Sequence, residues 1–179
     1  LAGNYTLKNE ILGSPNDPAP IKADGSTILS TQIKSLLTES RPKYKVVLGA
    51  DYHLNKWSFN LHNTLFGTTQ FQDLDNGGSD MENIRQKFTP AVVTDINIGY
   101  DISDKINFSV TVNNVFNVLP KWKLEALNPA GQAVLNNAAD KSLLEGFLEF
   151  SGRYKILAYN GSQFSQLGTI FQGSLNFKF

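Results

Sequence analysis

The sequence predicts an all-β fold in which antiparallel strands are apolar on one face and polar on the other. Side chains alternate between apolar and polar in several stretches of the 179-residue chain, as they do in half-buried strands. No apolar run approaches the about 18 residues that a membrane helix needs. Charged residues make up only 18%, and there are 18 asparagines. This composition suits either a soluble β-protein or a transmembrane β-barrel, whose strands need only one apolar face.

Alternation at period two predicts five strands. They cover residues 45–54, 57–65, 92–102, 106–113 and 167–179. Within the third stretch, for example, Ile98 stands between Asn97 and Gly99. Asn63 on the apolar side and Ile170 on the polar side break the pattern.

The connections between these strands are of two kinds. Leu54 and Trp57 must both lie on the apolar face, so we expect them to pair across a two-residue turn. A three-residue turn, 103–105, is expected after Ile102. The other connections are long: 12–42, 66–90 and 119–165. Short periplasmic turns and long extracellular loops are typical of an antiparallel outer-membrane β-barrel, whereas loops of this length are uncommon in compact soluble domains. The pattern therefore favours a barrel, with a soluble β-sandwich as the alternative.

Aromatic residues stand near the ends of the predicted strands. Tyr52, Trp57 and Tyr100 lie at the turn end of the apolar face, where an interfacial aromatic girdle is expected. Trp122 lies between Lys121 and Lys123 after another predicted strand. We interpret this triplet as an interfacial anchor whose lysines extend toward water. Contact of the two lysines with an anionic ligand or with lipopolysaccharide is the alternative.

Charge and composition exclude several classes of protein. The 16 basic and 16 acidic side chains balance, whereas nucleic-acid binding needs a basic excess. There is no cysteine, and no nucleophile motif or phosphate-binding loop is recognisable. His53 and His62 are four residues apart along the predicted hairpin, about 13 Å at about 3.3 Å per residue, which is too far for one ion. We therefore expect no enzyme and no cofactor.

An acidic segment in the second long loop superficially resembles a calcium-binding loop. It begins with Asp73 and Asp75, but Gly77 and Ile84 occupy the positions at which such a loop has an Asp or Asn and a Glu. We therefore predict a solvated acidic loop and no metal site. The alternative is a cation gathered by four loop carboxylates, Asp73, Asp75, Asp80 and Glu82. We interpret Asp73 and Asp75, together with Lys121 and Lys123, as loop residues that can face a ligand.

One segment has helical spacing. Residues 141–150 place leucines and a phenylalanine on one side, and Ser142 with Glu145 fits a capping box, although Gly146 weakens the prediction. We expect a short helix packed within the long loop, with a lid over a ligand as the alternative.

Five consecutive residues carry a family resemblance. Asn113-Asn114-Val115-Phe116-Asn117 resembles the Asn-Asn-Leu-Phe-Asn/Asp signature near the end of TonB-dependent outer-membrane receptors, with Val115 in place of leucine. Further stretches resemble strands and strand ends of the same family: 40–45, 65–67, 94–100 and 163–168. Together these similarities span residues 40–179.

The resemblance implies a barrel of about 22 strands with a plug domain inside it. This chain would supply about six of those strands. They would be residues 1–10, 43–54, 57–66, 91–102, 105–118 and a last strand ending at Phe179. The chain begins within a patterned segment and ends on a strand, so we expect residues 1–179 to be the C-terminal portion of the barrel domain, with the plug absent from this chain.

The resemblance also implies a place and a function. The place is the outer membrane of a Gram-negative bacterium, and the function is import of a ferric siderophore, another metal chelate, a vitamin or an oligosaccharide. The implied partners are the rest of the barrel, the plug, outer-membrane lipid, the TonB energy-coupling complex and the barrel-assembly machinery, which would recognise Leu175, Phe177 and Phe179. A structural or assembly-bound barrel without transport and a soluble β-sandwich binding module are the alternatives.

Overall fold

The computed structural model describes residues 1–11, 31–72, 83–150, 154–158 and 163–178. Its elements, in chain order, are β1 (Ala2–Tyr5), α1 (Thr31–Thr38), β2 (Tyr44–Leu54), β3 (Trp57–Phe66), β4 (Thr69–Phe71), β5 (Ile84–Phe88), β6 (Ala91–Ser103), β7 (Ile106–Asn113), β8 (Trp122–Ala126), α2 (Pro129–Asn136), α3 (Ala138–Leu148), β9 (Glu149–Phe150), β10 (Tyr154–Ala158) and β11 (Ile170–Phe177).

The largest element is a six-stranded sheet with the order β1-β2-β3-β6-β7-β11. Every neighbouring pair in it is antiparallel. The predicted antiparallel all-β class is therefore confirmed, and the predicted strands 43–54, 57–66 and 91–102 agree with β2, β3 and β6 to within one residue. The described sheet is open, with β1 and β11 at its two edges.

Two tight hairpins connect strands of this sheet. Leu54 pairs with Trp57 across a two-residue turn, as predicted, and the turn residue Asn55 has a φ of 52°, a conformation that asparagine tolerates better than most residues. The second turn differs from the prediction. Ser103 pairs with Ile106, so the turn has two residues rather than three, and the register shifts just before it. Such a bulge accommodates one extra residue on one strand.

The long connections contain a second, three-stranded sheet with the order β4-β5-β8. The sequence analysis did not predict it, because its strands are only three to five residues long. Its inner side holds Phe71, Ile84 and Phe88, each 1% exposed or less, and Leu144 of α3 packs against Ile84. The most completely buried apolar side chains of the described chain thus lie in the second sheet.

Helices α2 and α3 adjoin this second sheet. Asn128 caps α2 by accepting a hydrogen bond from the Gly131 amide at 2.9 Å. The predicted helix over 141–150 corresponds to α3, which begins earlier, because Asn137 accepts hydrogen bonds from the amides of Ala139 and Lys141. The predicted capping box therefore lies inside the helix. Within the described residues, no helix is long and apolar enough to cross a membrane.

Candidate functional site

One side of the six-stranded sheet, here called the apolar face, carries aligned rows of apolar side chains. The row nearest the hairpins consists of Leu54, Trp57, Tyr100, Phe108 and Leu175. The next rows include Tyr52, Phe59, Ile98 and Val110, then Ala50, Leu61, Ile96, Val112 and Phe171. Most of the large side chains remain well exposed, such as Trp57 at 45% and Phe171 at 73%. The sheet therefore presents a contiguous apolar surface of the kind that marks an interaction site.

The aromatic residues predicted for the turn end of this face lie together. The ring centroids of Trp57 and Tyr100 are 4.6 Å apart, and Phe59 lies 6.1 Å from Trp57 and 6.3 Å from Tyr52. The hairpin turn sets the pairing of Tyr52 with Phe59, and the register between β3 and β6 brings Tyr100 beside Trp57.

Asn63, which broke the alternation, has a partner on the same face. Thr94 lies directly opposite it on β6, and the Thr94 hydroxyl donates to Asn63 Oδ1 at 2.6 Å. The Thr94 carbonyl in turn accepts from the Val115 amide at 2.8 Å. This hydrogen bond between the two polar side chains lowers the free-energy cost of placing them among apolar neighbours.

The opposite side of the sheet, here called the polar face, carries a cross-strand hydrogen-bond network. Asn60 Nδ2 donates to Asn97 Oδ1 at 3.1 Å, and Asn97 Nδ2 donates to the Thr111 hydroxyl at 2.7 Å. One row nearer the hairpins, the hydroxyls of Ser109 and Ser174 are 2.7 Å apart. These contacts connect β3, β6, β7 and β11 through side chains in addition to the backbone.

The two histidines also lie on the polar face, in the predicted register. His53 pairs with Ser58 and His62 pairs with Gly49. A Cβ atom added at Gly49 would lie 2.8 Å from Cδ2 of the His62 ring, so glycine is needed there to make room for the imidazole. Among the described residues, no three His, Asp or Glu side chains gather where they could hold a metal ion.

The five-residue motif forms the turn that ends β7. Asn114 and Asn117 have φ angles of 54° and 51°. Asn114 is buried, and its carboxamide donates to the Val118 carbonyl at 2.7 Å and accepts from the Val118 amide at 2.8 Å. The Asn114 amide donates to Asp95 Oδ1 at 2.7 Å. Asparagine suits these positions because it tolerates positive φ and bonds to nearby backbone. The predicted strand 105–118 therefore ends at Asn113.

The segment 163–169, here called the strap, is held against this turn. The Thr169 hydroxyl donates to the Asn114 carbonyl at 2.7 Å, and the Thr169 amide donates to Asn117 Oδ1 at 3.3 Å. Gly168 has a φ of 73°, and a Cβ atom there would collide with Asn117 Oδ1. The turn thus positions the start of β11.

The other end of the strap is fixed by Gln163. Its Nε2 donates to the Gly67 carbonyl at 2.6 Å and to the Thr89 carbonyl at 2.8 Å. Next to it, the Phe164 ring lies 5.2 Å from the ring of Phe66. Gln163 therefore ties together three connections that are far apart in sequence. A cavity of about 240 Å³ lies between the strap and the polar face.

The outer side of the second sheet carries a charged cluster. Glu125 accepts from Arg85 Nε at 2.7 Å and from Lys87 Nζ at 3.2 Å. The hydrogen bond from Arg85 is the main cause that holds the pKa of Glu125 below its ordinary value, and Lys87 acts in the same direction against the opposing effect of burial. The predicted loop residues Lys121 and Lys123 are exposed beside this cluster.

Trp122, predicted as an interfacial anchor, is partly buried in the second sheet. It pairs with Phe88 across the second sheet and packs against the cluster of Ile84 and Leu144. The physical reason is the strand that it begins: alternation along β8 turns Trp122 and Leu124 inward and leaves Lys123 exposed.

The remaining predicted residues fall at the end of the sheet or outside the structure. Leu175 and Phe177 are exposed on β11, 52% and 56% respectively, and pair with Phe108 and Ile106. Phe179 and the acidic residues Asp73 and Asp75 lie outside the described residues.

Sequence reasoning missed Gln163 and Phe164 as site residues. Neither stands in an alternating stretch, and the contacts of Gln163 are 96 and 74 residues away in sequence. It also missed Gln86, whose buried carboxamide has no hydrogen-bond partner among the residues that the structure describes. The one indication in the sequence is that Gln86 lies midway between Ile84 and Phe88, two apolar residues that would share a face with it in a strand.

Comparison of the chain with protein-family models, curated proteins and solved structures finds no match.

Proposed function

We propose that this chain forms part of the wall of an outer-membrane β-barrel receptor of the TonB-dependent type, which imports a scarce nutrient. One observation carries the proposal. An antiparallel sheet with strands in sequential order exposes a continuous apolar face on one side and a hydrogen-bonded polar face on the other.

The dimensions of the sheet support this proposal. Strands β2, β3 and β6 have 11, 10 and 13 residues, and a tilted strand needs about 9–11 residues to cross a bilayer. The aromatic cluster around Trp57 lies at the hairpin end, where the interface between lipid and water would be. The apolar face would then contact lipid, and the polar face would border the water-filled interior.

The open edges of the sheet determine what this proposal requires of the rest of the receptor. In lipid, each backbone group left without a hydrogen bond costs several kcal/mol, so only closed barrels are stable there. Further strands would therefore pair with β1 and β11 to complete the wall. The plug domain and the contact with TonB would belong to parts of the receptor outside this chain, while the loop ends of these strands would face the cargo.

The resemblance of residues 113–117 to the receptor signature gains a physical basis. Its asparagines occupy positive-φ positions and its buried carboxamide closes the turn. This turn anchors the strap and the start of β11, so Asn114 and Asn117 of the motif serve assembly of the wall.

The test is to express the protein that contains this chain in a Gram-negative host and to separate inner and outer membranes. We expect recovery from the outer membrane only with detergent, and faster gel migration before heating than after heating, as folded barrels show. Recovery as a water-soluble monomer would contradict the proposal and support a β-sandwich binding module. Recovery as a folded barrel that takes up no nutrient would support a structural barrel instead.

A further inference from the structure

The cavity beneath the strap gathers apolar side chains on a face that is otherwise polar. Phe66, Val93, Phe164 and Ile170 line it, so Ile170, which broke the alternation in the sequence, belongs to this lining. The rings of Phe66 and Phe164 meet at 35° with their centroids 5.2 Å apart. Two aromatic rings and two branched side chains thus form the walls of a small chamber.

Three polar groups in the lining have unused hydrogen-bonding capacity. The Nζ atom of Lys45 lies 5.2 Å from the centroid of the Phe66 ring, and this ammonium forms no ion pair within the described residues. Asp95 accepts one hydrogen bond, from the Asn114 amide. The Asn113 carboxamide has no partner in the part of the chain that the structure describes. The cavity therefore offers an ammonium, a carboxylate and an amide beside apolar walls.

We propose that this cavity binds one ring of a neutral, polyhydroxylated ligand, a sugar unit. Hydroxyl groups both donate and accept hydrogen bonds, so they can bond to an ammonium, a carboxylate or a carboxamide, the three kinds of polar group in this lining. The apolar C–H faces of a sugar ring pack against Phe66 and Phe164. The inference rests on the proposed function, because it names the chemical class of the imported cargo.

Charge and size favour this ligand over the other kinds of cargo considered above. The lining holds one ammonium, Lys45, and one carboxylate, Asp95, so it has no net positive charge to attract an anionic ferric chelate. At about 240 Å³, the cavity lies below the about 300–1,000 Å³ of pockets for drug-sized ligands, so it matches a small ring better than a large vitamin. A single sugar ring at the end of an oligosaccharide is uncharged and small, so it is compatible with both the charge and the size of the cavity.

The test uses the detergent-solubilised protein that contains this chain. Glucose, galactose, N-acetylglucosamine and maltose are measured by saturation-transfer NMR and calorimetry, with ferric citrate as an anionic comparison. We expect at least one sugar to bind and ferric citrate not to bind at this cavity. Phe164→Ala should weaken sugar binding at least about tenfold, because truncation of an aromatic ring that lines the cavity removes a main contact.

Two further variants separate binding from folding. Asn113→Ala removes a carboxamide that bonds to nothing in the described residues, so it should weaken sugar binding while the barrel stays folded. Phe116→Ala removes a ring that is 72% exposed and outside the cavity lining, so sugar affinity should not change.

Each outcome decides the inference. It is overturned if no sugar in the panel binds to outer-membrane protein that shows the heat-dependent gel shift, because the proposed function then holds and the ligand class is wrong. It is also overturned if Phe164→Ala and Asn113→Ala bind sugar like the unmodified protein, or if ferric citrate binds and is lost in those variants. Failure of the protein to reach the outer membrane would instead refute the proposed function.

Discussion

At the scale of single residues, Asn114 combines a backbone angle with a set of hydrogen bonds that few other side chains can provide. Its φ of 54° lies in the left-handed region, and its carboxamide bonds to both polar groups of the Val118 backbone. A glycine at this position would adopt the positive φ without strain but would lack the hydrogen bonds. An alanine would be strained at this φ and would also lack them. Comparing the two variants therefore separates the contribution of backbone conformation from that of the hydrogen bonds.

Replacement of Asn114 by alanine should therefore destabilise the protein more than replacement by glycine. We expect Asn114→Ala to lower the free energy of unfolding by about 2 kcal/mol or more, from backbone strain and lost hydrogen bonds. Asn114→Gly should lower it by about 1 kcal/mol, from the lost hydrogen bonds. Denaturant titration of the detergent-solubilised protein measures both values. Equal stability of the two variants would argue against a contribution from backbone conformation.

At the scale of elements, the strap depends on one buried side chain. Gln163 supplies the donor that satisfies the carbonyls of Gly67 and Thr89. Gln163→Met keeps the length of the side chain and removes that donor, so these two carbonyls lose their partner at about 1–3 kcal/mol each. We expect faster hydrogen exchange in residues 163–169 and unchanged exchange in β3 and β6. Unchanged exchange in the strap would show that Phe164 and Thr169 hold it without Gln163.

The charged cluster on the second sheet makes a prediction about pH. Because the pKa of Glu125 is lowered from 4.5, its ionised carboxylate stabilises the fold above that pH, and the stabilisation disappears as pH falls through the lower folded-state pKa. The contribution should be about 1 kcal/mol, as for partly exposed ion pairs.

The matched variant for this prediction is Glu125→Gln. Hydrogen exchange in β5 and β8, corrected for intrinsic rates, should show lower protection in the variant at neutral pH and similar protection in both proteins at acidic pH. A constant difference between the two proteins across this range would mean that ionisation of Glu125 does not stabilise the second sheet.

At the scale of the whole molecule, the two faces of the main sheet should tolerate charge differently. Val110 and Ser109 are adjacent on β7 and lie at nearly the same depth, on the apolar and polar faces respectively. If lipid covers the apolar face, Val110→Arg should cost about 2–4 kcal/mol near mid-strand. Ser109→Arg should cost much less, mainly the hydroxyl contact with Ser174.

Denaturant titration of the folded barrel, together with the yield of folded protein in the outer membrane, compares these two variants. Equal tolerance of arginine at both positions would contradict the assignment of the apolar face to lipid. Ile98→Arg repeats the test on β6, because Ile98 pairs directly with Val110.

Local patterns explain which parts of the fold were predictable. Leu54 and Trp57 could be paired from sequence because a one-residue slip would turn every side chain to the wrong face. The strands of the second sheet are short, and Gln86 interrupts the apolar positions of β5, so neither length nor alternation identified them. Trp122 was assigned to an interface because its flanking lysines suggested solvent, but its inward direction depends on pairing with β5.

By itself, the sequence determined the antiparallel class, the strand boundaries of the main hairpin and the division of its sheet into an apolar and a polar face, because these depend on local alternation and turn chemistry. Only the tertiary structure decided that the motif turn and Phe164 line one cavity over the polar face, and that Gln163 fixes the start of the strap. The physical reason is distance along the chain. Contacts between residues 66 and 164, or 67 and 163, follow from the packing of whole elements and leave no periodic signal in the sequence.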